Sequence, residues 1–249
     1  GWIIMKYFDL KGEVVDSGSE WIYDWYGIQA ISPKTIQRNL INANGDDVTF
    51  RVNSGGGSVF AGCDIYNMLM DYRNKANVNI EINGLCASIA GVIAMAGTTV
   101  KMSPSALFMI HNVSCNASGD YRDMEHTAET LKKANETIAN AFKLKTGMED
   151  EEIKSIMDHE TWYTANEAKD KKIIDEIMYQ DQKVDSNMVN LLKNKATALC
   201  NSVSLNNDIV EKLKQYKPIN QPVNNEVDFL MQQKAIAKLQ LLNIKRRCL

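Results

Sequence analysis

"VTFRVNSGGGSVFAGCDIYNMLMDYR", residues 48–73, joins two kinds of periodicity through three glycines. The first six residues are short and β-branched, which predicts a strand over 48–53. After Gly55-Gly56-Gly57, Ala61, Ile65, Met68 and Leu69 recur at helical spacing, which predicts a helix over 58–73. A strand that turns through glycine into an amphipathic helix is the repeating unit of an α/β protein.

The pattern continues on both sides. Upstream, "ISPKTIQRNLINANG" (31–45) reads as a helix with Ser32 as N-cap and Pro33 at the first helical position. Downstream, "VNIEIN" (78–83) is the next strand, leading through Gly84 into an apolar helix that opens on Ser88. "TTVKM" (98–102) and "ALFMI" (106–110) are two further strands, the second ending on His111. Residues 120–146 form a long helix stopped by Gly147, and "MEDEEIKSIMD" (148–158) a short acidic one. Thr164-x-x-Glu167 is a capping box, and "IIDEIM" (173–178) a last strand. These elements predict an α/β domain over residues 5–188. A tail over 189–249 contains a linker at 217–225, where two of the four prolines fall, and an amphipathic helix with a basic end.

The chain has 249 residues, 45% hydrophobic and 24% charged, with a net charge of −3. That balance argues against a nucleic-acid partner, which wants a basic face. Five scattered cysteines without C-x-x-C spacing point to neither a metal site nor a disulfide framework. The longest apolar run, 85–97, is too short to span a bilayer, and "GWIIMKYFDLKGEV" is too soon charged for a signal peptide. The expectation is a cytoplasmic protein with no metal, cofactor or membrane.

Two strand-to-helix junctions can carry chemistry. The Gly55-Gly56-Gly57 loop reads either as a tight turn or as a nest of N–H groups for an anion; no Lys-Ser/Thr follows, so it is not a Walker loop. Ser88 reads either as an N-cap or as a nucleophile with the Ile89 N–H beside it as an oxyanion donor. Gly84, Cys86, Ala87 and Gly91 around it leave room for a substrate backbone. A nucleophilic serine needs a base. Of three histidines, His126 lies among polar residues and His159 in a polar segment, whereas His111 ends an apolar strand. A structural histidine is the alternative there. Asp158 and Glu160 are the candidate acids to orient it.

Taken together, "NSGGGSVFAGCDIYNML", "GLCASIAGVIAMAG", "MIHN" and "ETWYTANEA…IIDEI" resemble, in order and spacing, the Clp protease proteolytic subunit, and within it the ClpP-like head maturation proteases of phages and prophages. The resemblance covers about residues 20–178. It implies a spiral of strand–strand–helix units, shared with the crotonase fold, with the helix over 120–146 as a handle for ring or dimer contacts. It implies Ser88 as nucleophile, His111 as base and Glu160 as acid, with Asp158 in reserve. Oxyanion donors fall on the N–H groups of Gly56 and Ile89, with Gly57 beside them in the substrate-binding loop. The implied partners are a peptide substrate, further copies of the chain, and a phage scaffold or capsid protein or an ATPase, in a bacterial cytoplasm or phage prohead. Three departures stand out: Gly55 replaces the family's proline, Glu160 replaces its aspartate, and the segment after His111 is short and polar. Rival readings are an acyl-CoA hydratase or isomerase of the same fold, and a structural ring with a dead site.

Overall fold

The computed structural model describes residues 5–179. The final nine residues of the expected core, the 217–225 linker and the expected tail helix lie outside that range. The elements run β1 Lys6–Lys11, β2 Glu13–Val14, α1 Glu20–Trp25, β3 Ala30–Ile31, α2 Pro33–Ala43, β4 Val48–Ser54, α3 Val59–Tyr72 and β5 Val78–Ala87. They continue α4 Ile89–Ala94, β6 Thr99–Met102, β7 Leu107–Ile110, α5 Tyr121–Thr146, α6 Asp150–Asp158, β8 Thr161–Tyr163, α7 Ala165–Asp170 and β9 Glu176–Ile177.

A seven-stranded sheet has β1, β4, β5, β6 and β9 as successive neighbours, with β7 on β5 and β8 on β7. Every pairing in it is parallel except β7–β8. β2 and β3 form a separate parallel pair. Strands buried on both faces should read as continuous apolar runs, and β7 does, with all four residues buried. α3 lays Ala61, Ile65 and Leu69 into the core. It crosses close to α4 because Gly62 has no side chain: a Cβ there would stand 2.1 Å from Ile89 Cγ1.

Local signals set the helix ends. Ser32 accepts from the Thr35 N–H and Pro33 opens α2. Gly147 closes α5 in the left-handed conformation, at φ 73°. Thr164 and Glu167 cap α7 reciprocally. α5 is 26 residues long, yet its buried residues are confined to Ile138, Ala141, Phe142 and Thr146 near its C-terminus. No helix among the described residues is long and apolar enough to cross a membrane.

Three expectations need correction. α4 begins at Ile89, directly after Ser88 as expected, but the strand expected to end at Asn83, β5, continues to Ala87. Its first half pairs with β6 and its last residues, Leu85–Ala87, with β7. Gly84 is there for packing, since a Cβ would stand 2.6 Å from Asn53 Oδ1, which accepts the Leu85 N–H. The strand expected over 173–178 contracts to Glu176–Ile177, with Ile173 and Ile174 buried in the preceding turn. β1, β2, α1 and β3 on the N-terminal side and β8 after α6, none of them expected, complete the fold.

Candidate active site

The fold brings one end of β5 and one end of β7 together around Ser88. Ser88 sits between β5 and α4 with φ 57° and ψ −130°, a backbone conformation that a residue with a Cβ adopts rarely. Its N–H donates to the Met109 carbonyl at 3.0 Å, and its carbonyl accepts from Gly91 N–H at 2.9 Å. The side chain makes no capping bond to the helix it precedes. The N-cap alternative therefore fails, and the hydroxyl is turned elsewhere. Strain of this kind costs about 1–3 kcal/mol and persists where the surroundings over-determine it. α4, all six of whose residues are buried, provides such surroundings. Ile89 opens α4, so its N–H has no intrahelical acceptor.

His111 reaches Ser88 through strand register. Ala87 lies opposite Met109 on β7, so Ser88 stands beside the strand's end, and His111 follows one residue after it. His111 Nε2 is 2.8 Å from Ser88 Oγ, a hydrogen bond. The antiparallel register of β7 and β8, with Ile110 opposite Thr161, brings Glu160 opposite His111. Glu160 Oε2 is 3.9 Å from His111 Nδ1, an ion-pair distance too long for a hydrogen bond, and its side chain is 52% exposed against 28% for His111. Burial pulls the His111 pKa below its usual 6.5, and the Glu160 charge pushes back up against that shift. A neutral imidazole beside a serine hydroxyl can accept its proton.

The remaining candidates separate. Asp158 is turned to Asn112, whose Nδ2 donates to Asp158 Oδ1 at 2.8 Å. His126 is exposed on α5, and His159 Nδ1 lies 2.7 Å from the Ser155 carbonyl. Gly56, at φ 100°, is pressed against Ser88: a Cβ on it would stand 2.7 Å from Ser88 Cβ and 3.1 Å from Ser88 Oγ. Its N–H, however, donates to Ser54 Oγ at 3.2 Å. The Gly56 carbonyl accepts from Val14 N–H, and the Ser58 N–H donates to the Val14 carbonyl. The Gly56 carbonyl and the Gly57 N–H belong to one trans peptide group and point in opposite directions, so the Gly57 N–H faces away from β2.

Three contributors escaped the sequence reading. Ser54 is buried, donates to the Gly12 carbonyl at 2.6 Å and anchors the glycine loop. Asn112 holds Asp158, and Trp162 donates from Nε1 to Glu160 Oε1 at 3.3 Å. Each is a neighbour of a residue singled out for chemistry, and that adjacency was the available signal.

Comparison with known proteins matches residues 34–181 to the family model described as Clp protease. An "ATP-dependent Clp protease proteolytic subunit" from Bacteroides fragilis is 31% identical over 157 residues, covering 61% of this chain and 75% of that protein. One of the same description from Bacteroides thetaiotaomicron is 32% identical over 150 residues, covering 58% and 67%. The "ATP-dependent Clp protease proteolytic subunit 1" of Frankia casuarinae is 32% identical over 152 residues, covering 59% and 70%. With the family model spanning more than half of its length, this chain belongs to the Clp protease family.

Proposed function

We propose that the protein is a serine endopeptidase in which Ser88, His111 and Glu160 act as a triad. The observation that carries this reading is the 2.8 Å contact between His111 Nε2 and a serine hydroxyl held in a strained strand-to-helix turn. Ser88 Oγ attacks the peptide carbonyl while His111 Nε2 takes its proton; the proton then goes to the leaving amine, and water hydrolyses the acyl-enzyme by the reverse path. Glu160 stabilises the imidazolium. The developing oxyanion is held by the Ile89 N–H and by one N–H of the glycine loop. Gly56, the expected donor, would first have to leave Ser54 Oγ, whereas the Gly57 N–H faces away from β2. Substrate adds as a strand along the loop edge that β2 leaves free, which reads main chain more than side chain. Bond cleavage by this route calls for no metal or nucleotide.

The assembly we propose is a homo-oligomer, with the exposed length of α5 as the handle between copies. The biological role we favour is head maturation in a phage or prophage, cutting scaffold or capsid protein. A second reading, a proteolytic subunit fed by an ATPase, has in its favour the description of the relatives as ATP-dependent.

Peptide hydrolysis by the Ser88→Ala variant tests the chemistry. Loss of the nucleophile should lower turnover by about 10⁶-fold, the drop seen when a serine triad loses its serine. Turnover within tenfold of the unsubstituted chain would overturn the assignment. Cleavage of folded scaffold or capsid protein without an ATPase supports the first role, and dependence on an unfoldase the second.

A further inference from the structure

We propose that Trp162 is a positioning residue of this site: its indole N–H holds the Glu160 carboxylate where its second oxygen meets His111. The inference rests on the triad reading above. Glu160 is half exposed and stands in a turn, at φ 45°. Its backbone is tied by a long bond, its N–H donating to the Met157 carbonyl at 3.3 Å. Two groups meet its carboxylate among the described residues: Trp162 Nε1 at 3.3 Å from Oε1, and His111 Nδ1 at 3.9 Å from Oε2. A glutamate side chain has three rotatable bonds, and a contact of 3.9 Å to a neutral imidazole does not fix them. The neighbouring carboxylate offers no help, because Asp158 is engaged by Asn112.

The anchor is itself well placed. Trp162 lies opposite Met109 on β7, and Met109 gives its carbonyl to the Ser88 N–H. One β7 residue thus fixes both the nucleophile and the strand carrying the tether. An indole N–H donates and cannot accept, so this contact favours the charged carboxylate and leaves Oε2 toward His111.

Trp162→Phe keeps an aromatic ring, smaller than the indole, and removes the donor. The readout is the His111 pKa, followed by NMR on histidine-labelled protein, for the unsubstituted chain, W162F, E160Q and the double variant. Glu160 is the charge acting on His111 and raises its pKa, so freeing the carboxylate should lower that pKa in W162F toward the E160Q value. Adding W162F to E160Q should then shift nothing more. The fluorophosphonate reaction rate at Ser88 should fall roughly threefold to tenfold in W162F, the range of one hydrogen bond. An unchanged His111 pKa in W162F overturns the tether, as does an equal shift in the E160Q background, which would mean general loosening. If W162F does not fold, the Trp162 indole N–H resonance in otherwise unsubstituted protein decides: it should move and exchange faster in E160Q, and an unmoved resonance overturns the proposal. Failure of Ser88 to react in the unsubstituted chain would instead break the peptidase reading, while the titration still decides the tether.

Discussion

Ser88 and Glu160 both hold non-glycine residues at positive φ, 57° and 45°, but the two turns are built differently. Ser88 is clamped through its backbone to Met109 and Gly91 and backed by a helix buried along its whole length. Glu160 sits in a surface turn, with a 3.3 Å backbone bond, a 3.3 Å tether and a 3.9 Å reach to His111. Ser88 is thus held by the elements that build the core, whereas Glu160 is an attachment at the surface. In the triad proposed above, preorganisation therefore lies at Ser88, and the carboxylate facing His111 is the less constrained group.

The most severe break in that contrast comes from the rigid side. Gly56→Ala places a Cβ 2.7 Å from Ser88 Cβ at a φ of 100° that alanine rarely adopts. The variant's rate of reaction with a fluorophosphonate should fall by about 10³-fold, the upper scale of losing an oxyanion donor, while circular dichroism still reports the fold. A rate near that of the unsubstituted chain would mean the loop is not packed on the nucleophile.

Glu160→Gln should cost less. A buried, hydrogen-bonded acid is worth about 10⁴-fold; a half-exposed one at 3.9 Å should be worth about 10²-fold. The pH profile sharpens the point. His111 must be neutral to act as base, and burial lowers its pKa, so the acid limb should have its midpoint below 6.5. Removing the Glu160 charge removes the influence that raises this pKa, so the limb should move lower still. A limb moving upward would show that Glu160 does not face the imidazole.

Asp158→Asn is the smallest change. Asp158 faces Asn112 rather than His111, so turnover should stay within about twofold, an exposed hydrogen bond being worth little. A loss larger than that of Glu160→Gln would transfer the acid role to Asp158.

Much of this architecture was legible because local chemistry and tertiary structure agree. Ser32-Pro33, Gly147 and Thr164-x-x-Glu167 announce helix ends by the hydrogen bonds they make. Ser88 and His111 were legible because each sits where an apolar run meets a polar or small one. The failures have equally specific causes. β1 is a sheet-edge strand whose outward residues are polar or exposed, Tyr7 among them, so it lacks the continuous apolar run of a central strand. α1 packs three aromatics into six residues, a composition that reads as strand. Gly84 reads as a strand's end but serves an Asn53 side chain lying across it. The destination of the Gly56 N–H depends on Ser54, and no spacing rule encodes which acceptor a loop amide finds.

The most direct test of the central claim, that Ser88 and His111 form a reactive pair, is to map the adduct of a fluorophosphonate by mass spectrometry of the full chain. Ser88 Oγ should displace fluoride at phosphorus and carry the adduct, and His111→Ala should abolish it while the fold persists. An adduct on another serine, or equal modification of Ser88 without His111, would contradict the account.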